Sequence, residues 1–203
     1  HDAVFHADGT AADGPIALCE VQAYVYRAKR AAAELARLLG DFDHADRLLK
    51  EADSLRERFE RAFWCKELDS YALALDGRGQ PCRVRSSNAG HCLYGGIAEQ
   101  GRGMRTVRAL LTEDFFSGWG IRTLATSEVR YNPMSYHNGS VWPHDNAMIA
   151  AGMAAYGDKQ GDMKVLTGIF DDSLFIELHR LPELFRGLTR RPGEGPAHYP
   201  TPC

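Results

Sequence analysis

Long apolar runs are missing from this 203-residue chain. None approaches the roughly 20 residues that a bilayer-spanning helix needs, so no membrane partner is expected. Surplus basic charge is missing too. Lys and Arg total 24 against 27 Asp and Glu, a net charge of −3, which leaves no electrostatic footprint for nucleic acid. Cysteine is sparse and unpaired: Cys19, Cys65, Cys82, Cys92 and Cys203 are odd in number and show no CxxC spacing. That argues against a zinc site or a disulfide framework and for buried thiols in a reducing cytoplasm. The opening "HDAVFHADG" lacks a basic stretch followed by an apolar one, so no secretion signal is read there. It also lacks an initiator Met, and "GEGPAHYPTPC" ends in Gly/Pro-rich chain. A segment truncated at both ends is expected.

What is present is helical periodicity. From about Ile16 to Leu39 the residues Val21, Tyr24, Val25, Ala28, Ala32, Leu35 and Leu39 recur at steps of three and four, predicting an amphipathic helix stopped at Gly40. "HADRLLKEADSLRERFERAFWC" repeats the pattern through Leu48, Leu49, Ala52, Leu55, Phe59 and Phe63. "SYALALDG" alternates and then turns, as a short strand would. A third helix is predicted from Asn88, and a fourth, "RTVRALL", after a break at Gly101–Gly103. Pro143 is tolerable only in a first helical turn. The next helix therefore starts near Ser140 as N-cap, with Met148, Ile149, Ala151, Gly152, Met153 and Ala155 covering most of its circumference. "KVLTGIFDDSLFIELHR" predicts one more, ended by Pro182. No βαβ unit repeats, so the expected fold class is all-α, helices packed on helices.

Polar clusters recur beside these helices: "RVRSSNAGHC" (83 to 92), "YHNGSVWPHDN" (136 to 146) and "HRLPELFRG" (179 to 187). If alternate helices begin at one end of a shared core, the clusters converge on one rim. The free N–H groups of helix starts suit oxygen-rich ligands.

The block "RYNPMSYHNGSVWPHDNA", with "WGIRTLA" before it and "LPELFRG…RRPGEGP" after it, resembles the amylo-alpha-1,6-glucosidase (glycogen debranching enzyme) family. The order of blocks across nearly the whole chain carries the resemblance: P-x-x-x-x-E-x-Q, R-x-S-N, G-x-R-T-L, Y-H-x-G-x-V-W-P and P-E-L. It implies an (α/α)6 barrel, of which residues 1–203 would be one incomplete domain, the C-terminal part of the catalytic toroid. The partners it implies are an oligo- or polysaccharide and the remainder of its own barrel or another copy; it implies no cofactor. The chemistry it implies is inverting glycoside hydrolysis by two carboxyl groups, one protonating the leaving oxygen and one activating water.

By the same resemblance, Glu183 matches the general base, with Glu194 in "PGEGP" as the alternative. The general acid is expected as the Asp of a Trp-Lys/Met-Asp motif upstream of His1; Asp2 does not match that position. Glu20, Arg85, Asn88, His137, Asn138 and Trp142 match sugar-pocket positions, and Asp145 belongs to the local "WPHDN" variant.

Blander readings stand beside these. Asp145 equally suits a helix first turn, where carboxylates complement the dipole. Trp119, Trp142 and Tyr136 equally suit a core. Metal is not expected, because His91 and His137 have neither HxxxH spacing nor a partnering cysteine pair. A carbohydrate-binding relative that has lost its acid or base, and a helical scaffold for protein partners, are the rival functions.

Overall fold

The computed structural model describes residues 4–199. Among them are six α-helices: α1 Cys19–Leu38, α2 Phe42–Ala62, α3 Asn88–Gly95, α4 Gln100–Leu110, α5 Pro143–Ala155 and α6 Lys159–Ser173. They form three successive pairs. In each pair the second helix packs behind the first, while α1 lies against α3 and α3 against α5. The odd-numbered helices thus make an inner row and the even-numbered ones an outer row. Phe59, Tyr71, Leu93, Ile97, Ile149, Met153 and Val165 fill the space between them.

Helix α1 buries a different stripe from the one its periodicity suggests. The core face is Cys19, Ala23, Tyr26, Ala33 and Ala36, whereas Val21 and Val25 are 44% and 41% exposed and Leu35 and Leu39 are 61% and 85% exposed. Small side chains explain the choice, because they let the helices touch: a Cβ on Gly95 of α3 would lie 2.6 Å from the Ala23 Cβ. Ile16, Val21, Tyr24 and Val25 are left as an uncovered apolar strip.

Three other expectations need correction. Gly101 and Gly103 do not break α4. Glu99 caps it, its carboxylate accepting from the N–H groups of Gly101 and Arg102 at 2.9 Å each, and Gly103 leaves room for the Tyr156 ring. Ser140 does not cap α5. Its hydroxyl donates to the Tyr136 carbonyl at 2.6 Å, and the helix starts directly at Pro143 behind Trp142. That helix is also less enclosed than expected, since Ala151 and Ala155 face outward. Finally, α6 stops at Ser173, where 3₁₀-type bonds from Leu174 and Phe175 tighten the last turn. The chain then continues through a short 3₁₀ turn at Glu177–His179.

The alternating "SYALALDG" forms two short strands, β3 Ser70–Tyr71 and β4 Ala74–Leu75. Strand β3 pairs antiparallel with β2 Trp64–Cys65. Strand β4 sits between β1 Ala17–Leu18 and β5 Pro81–Cys82, also antiparallel. The second sheet ties the start of α1 to the segment leading into α3. Cys19, Cys65, Cys82 and Cys92 are buried free thiols; Cys203 lies outside the described residues. Among the described residues, no helix is long and apolar enough to cross a membrane.

Candidate active site

The inner row begins at one end of the core. Glu20 lies in the first turn of α1, Asn88 opens α3, and Asp145 lies in the first turn of α5. Around these helix starts is a cavity of about 300 Å³, lined by Val4, Phe5, Glu20, Ser87, Asn88, Thr123, His137, Asn138, Trp142, His144 and Asp145, among others. This is near the lower end for small-molecule sites, about 300–1,000 Å³. A groove between α1 and α2 is larger, about 650 Å³. Long charged side chains such as Lys29 and Glu51 wall it, and their exposed pairing makes a solvated surface instead of a shaped pocket.

Each wall is fixed by local structure. Asn146 clamps α5 to the "GIRTL" segment: its Oδ1 accepts from the Ile121 N–H at 2.6 Å, and its Nδ2 donates to the carbonyls of Ile121 and Trp142, each at 3.0 Å. The Trp142 indole N–H is tied back to the Ser140 hydroxyl at 2.9 Å and to the Tyr136 carbonyl at 3.1 Å. His137 stacks parallel to the indole with ring centroids 6.1 Å apart, and Tyr136 meets it edge-on at 4.9 Å. Asn88 Nδ2 donates to Glu20 Oε2 at 2.9 Å, joining α3 to α1.

Asp145 joins α5 to α3. The buried Ser87 hydroxyl donates to its Oδ2 at 2.8 Å, and His91 Nε2 bonds its Oδ1. The other imidazole nitrogen of His91, Nδ1, lies 2.6 Å from the Tyr24 hydroxyl. Burial alone would lower the His91 pKa, but the hydrogen bond and charge of Asp145, with Glu20 adding to them, raise it above its ordinary value. Glycines make this contact possible. A Cβ on Gly90 would lie 2.6 Å from Ile149 Cγ1, and one on Gly152 would lie 2.6 Å from the Tyr94 backbone nitrogen, so α3 and α5 approach at both sites. From the sequence alone His91 stands out only as a metal-ligand candidate, and Ser87 and Tyr24 carry no site role. The signal was present: Ser87 and His91 are four residues apart, which puts both on one face of α3.

Glu183 is not among the residues that line the cavity and is linked to its aromatic wall through Tyr136. Val141 and Phe185 exchange backbone hydrogen bonds of 2.9 and 3.0 Å, which lays the "LPELF" segment beside Trp142. Tyr136 then donates its hydroxyl to Glu183 Oε1 at 2.7 Å. The carboxylate is therefore connected to the aromatic group that bounds the cavity, while remaining solvent-exposed itself.

Two expected members are elsewhere. Arg85 does not line the cavity, because its guanidinium is taken up by other partners. Ser86 takes the inner face, and Arg85 pairs outward with Asp114 at 2.8 Å and Ser127 at 3.3 Å. Glu194 is exposed in a separate cleft with Asp114, Lys164, Arg190 and Arg191. The general acid expected upstream of His1 lies outside the described residues. Trp119 is core, packed with Val141, Ile169 and Phe185.

Three helix pairs with their inner helices opening on one polar cavity define a segment of a six-hairpin (α/α)6 toroid. The chain matches the family described as the mannosylglycerate hydrolase MGH1-like glycoside hydrolase domain over residues 4–181, and it belongs to that family. The glycoside hydrolase class and the toroid that the resemblance implies are thus those of this family. No curated protein matches it in sequence. Among solved structures it is similar to the GH63 mannosylglycerate hydrolase from Thermus thermophilus in complex with glucose, at 22% identity and TM-score 0.72, covering 91% of this chain and 45% of that one. It is also similar to neutral trehalase Nth1 from Saccharomyces cerevisiae, at 14% identity and TM-score 0.76, covering 96% and 38%. An uncharacterized conserved protein from Thermus thermophilus gives 23% identity and TM-score 0.70, covering 91% and 44%. The chain thus spans less than half the length of these structures.

Proposed function

We propose that this chain is the sugar-holding part of a glycoside hydrolase that cleaves α-glucosidic linkages with inversion. One observation carries the reading: the starts of α1, α3 and α5 bring Glu20, Asn88 and Asp145 around one cavity with the indole of Trp142. Two carboxylates, amides and imidazoles offer the mixed acceptors and donors that sugar hydroxyls require, and the indole offers a face for pyranose C–H groups. These groups sit on rigid helix starts, which hold geometry better than loops.

In this reading Glu183 is the general base, oriented by the Tyr136 hydroxyl, and it activates a water on the face of the sugar opposite the leaving group. The acid comes from chain upstream of His1; that Val4 and Phe5 already line the cavity supports this. An inverting pair would stand about 6.5–9.5 Å apart. The uncovered strip of α1 and the exposed Met163, Leu166 and Phe170 of α6 suit burial against the remainder of the toroid. The finer reading is an α-1,6-linked glucan substrate.

The test is hydrolysis of α-1,6- and α-1,4-linked glucosides and of mannosylglycerate by the full-length protein, with the first-formed anomer followed by proton NMR. β-Glucose released from an α-glucoside is expected, along with a loss of about 10²–10⁴-fold in Glu183→Gln. Sugar binding without turnover would favour the binding relative instead. Undiminished turnover in the variant would remove Glu183 from the mechanism.

A further inference from the structure

One chain of contacts extends behind the cavity wall. It runs from Ser87 through Asp145 and His91 to Tyr24, crossing all three inner helices. Its Asp145 end lines the cavity, while His91 is 5% exposed and stands behind it. We propose that His91 is a positioning residue for glycone recognition, the buried cation that holds Asp145 as a fixed carboxylate on the cavity wall, with Tyr24 completing its coordination. This rests on the reading that Asp145 accepts a hydroxyl of the sugar.

The geometry supports the assignment in three ways. First, both Asp145 oxygens are engaged, one by Ser87 on the cavity wall and one by His91 behind it, which sets the plane of the carboxylate and directs its remaining lone pairs. Second, the groups facing His91 favour a cation. They are Asp145 from α5 and Glu20 from α1, with the Tyr24 hydroxyl of α1 as the neutral partner on the other ring nitrogen. Among the described residues, no Lys or Arg lines the cavity to take that place. Third, the Tyr24 hydroxyl can serve either state of the ring. It accepts from Nδ1–H of the imidazolium and, after rotating, donates to Nδ1 of the neutral form. The ring therefore keeps its Nε2–H on Asp145 in both states, and what changes with pH is the charge behind the carboxylate. Loss of the His91 proton leaves Asp145 and Glu20 as two uncompensated like charges on one cavity wall, which loosens their placement against the sugar hydroxyls. Sugar affinity should fall on the alkaline side, above the ordinary histidine range, because His91 titrates upward of it.

The experiment uses the full-length protein and reads two quantities. Selective ¹³C-histidine labelling follows the His91 titration by NMR, and KM and kcat are measured from pH 5 to 9. Wild type should show His91 titrating above its ordinary value and a rise of KM along that same curve. His91→Gln keeps a donor toward Asp145 but no charge. It should raise KM about tenfold at low pH, as loss of one charge-assisted hydrogen bond would, with kcat changed less and the pH dependence of KM gone. Asp145→Asn should move the His91 titration to lower pH; this serves even if the glutamine variant does not fold. His91 titrating at or below its ordinary value overturns the ion pair. A KM profile that survives in His91→Gln overturns the positioning role, since a purely structural histidine would alter stability and leave that profile in place. Failure of the wild type to bind or hydrolyse any glycoside overturns the functional reading and the positioning role with it; the NMR titration then still reports whether the pair exists.

Discussion

Val141 and Phe185 are bonded to each other in both directions, Val141 N–H to the Phe185 carbonyl at 2.9 Å and the reverse at 3.0 Å. They are 44 positions apart in the chain, and their pairing helps to set where Glu183 stands. It carries Glu183 to the Tyr136 hydroxyl at 2.7 Å. Tyr136→Phe keeps the edge-on contact with Trp142 and deletes only that donor. It should lower kcat by roughly tenfold with little change in KM, the pattern of an interaction that orients a base without gripping the ground state. Steady-state kinetics on the full-length protein checks it; an unchanged kcat would disconnect Tyr136 from Glu183.

Arg122 anchors the same segment from beneath. It is almost fully buried and donates Nε to the Gly187 carbonyl at 2.6 Å, Nη2 to the Thr189 hydroxyl at 2.9 Å and Nη1 to the Glu113 carbonyl at 3.0 Å. A lysine has one nitrogen on a flexible stem and cannot reach three divergent acceptors. Arg122→Lys should cost on the order of 2–3 kcal/mol in denaturant unfolding and reduce turnover, because Gly187 lies four residues from Glu183.

Gly90 tests the close approach of α3 and α5. A methyl group there would lie 2.6 Å from Ile149 Cγ1, so the helices must separate or Ile149 must leave its rotamer. Overpacking of this kind costs about 1–3 kcal/mol. Gly90→Ala should lower the melting temperature and weaken sugar binding, because the displacement falls one residue from the His91–Asp145 contact. A variant with wild-type stability and affinity would show that the approach is slack.

Asp172 makes a prediction about pH. It is wholly buried on α6, and among the described residues neither carboxylate oxygen has a hydrogen-bond partner. Burial pushes its pKa from 3.8 up to about 7. A raised folded-state value means that the native protein holds this proton more tightly than the unfolded chain does. The associated stability is complete below about pH 4 and is lost as pH rises toward 7. Asp172→Asn removes the ionisation. It should match the wild type near pH 4 and exceed it at pH 8, by on the order of 2 kcal/mol, in urea unfolding at the two pH values. Equal stability at pH 8 would mean that Asp172 is solvated or paired.

Local rules were readable where local physics decides. Pro143 had to stand in a first turn, and it does. The polar clusters at 83–92 and 136–146 had to flank helix starts, and those starts meet. Other features depend on partners far along the chain. Arg85 turns outward because Asp114, 29 residues later, takes its guanidinium. His91 meets Asp145 across 54 residues and through the space two glycines leave. The stripe that α1 buries was misread because size prevailed over hydrophobicity: alanines allow the contact with α3 and α2, and the larger Val21 and Val25 stay outside. Ser140 lies two residues before Trp142, which takes the cap position, and its hydroxyl oxygen accepts from the Trp142 indole N–H instead of a helix amide.

The account stands on sugar occupying the cavity at the inner-helix starts, and a crystal structure of the full-length protein soaked with glucose tests that most directly. It should place one pyranose ring against Trp142, with hydroxyls bonded to Asp145 and to Asn88 or Glu20. A ring bound elsewhere, with water alone between those residues, would contradict it.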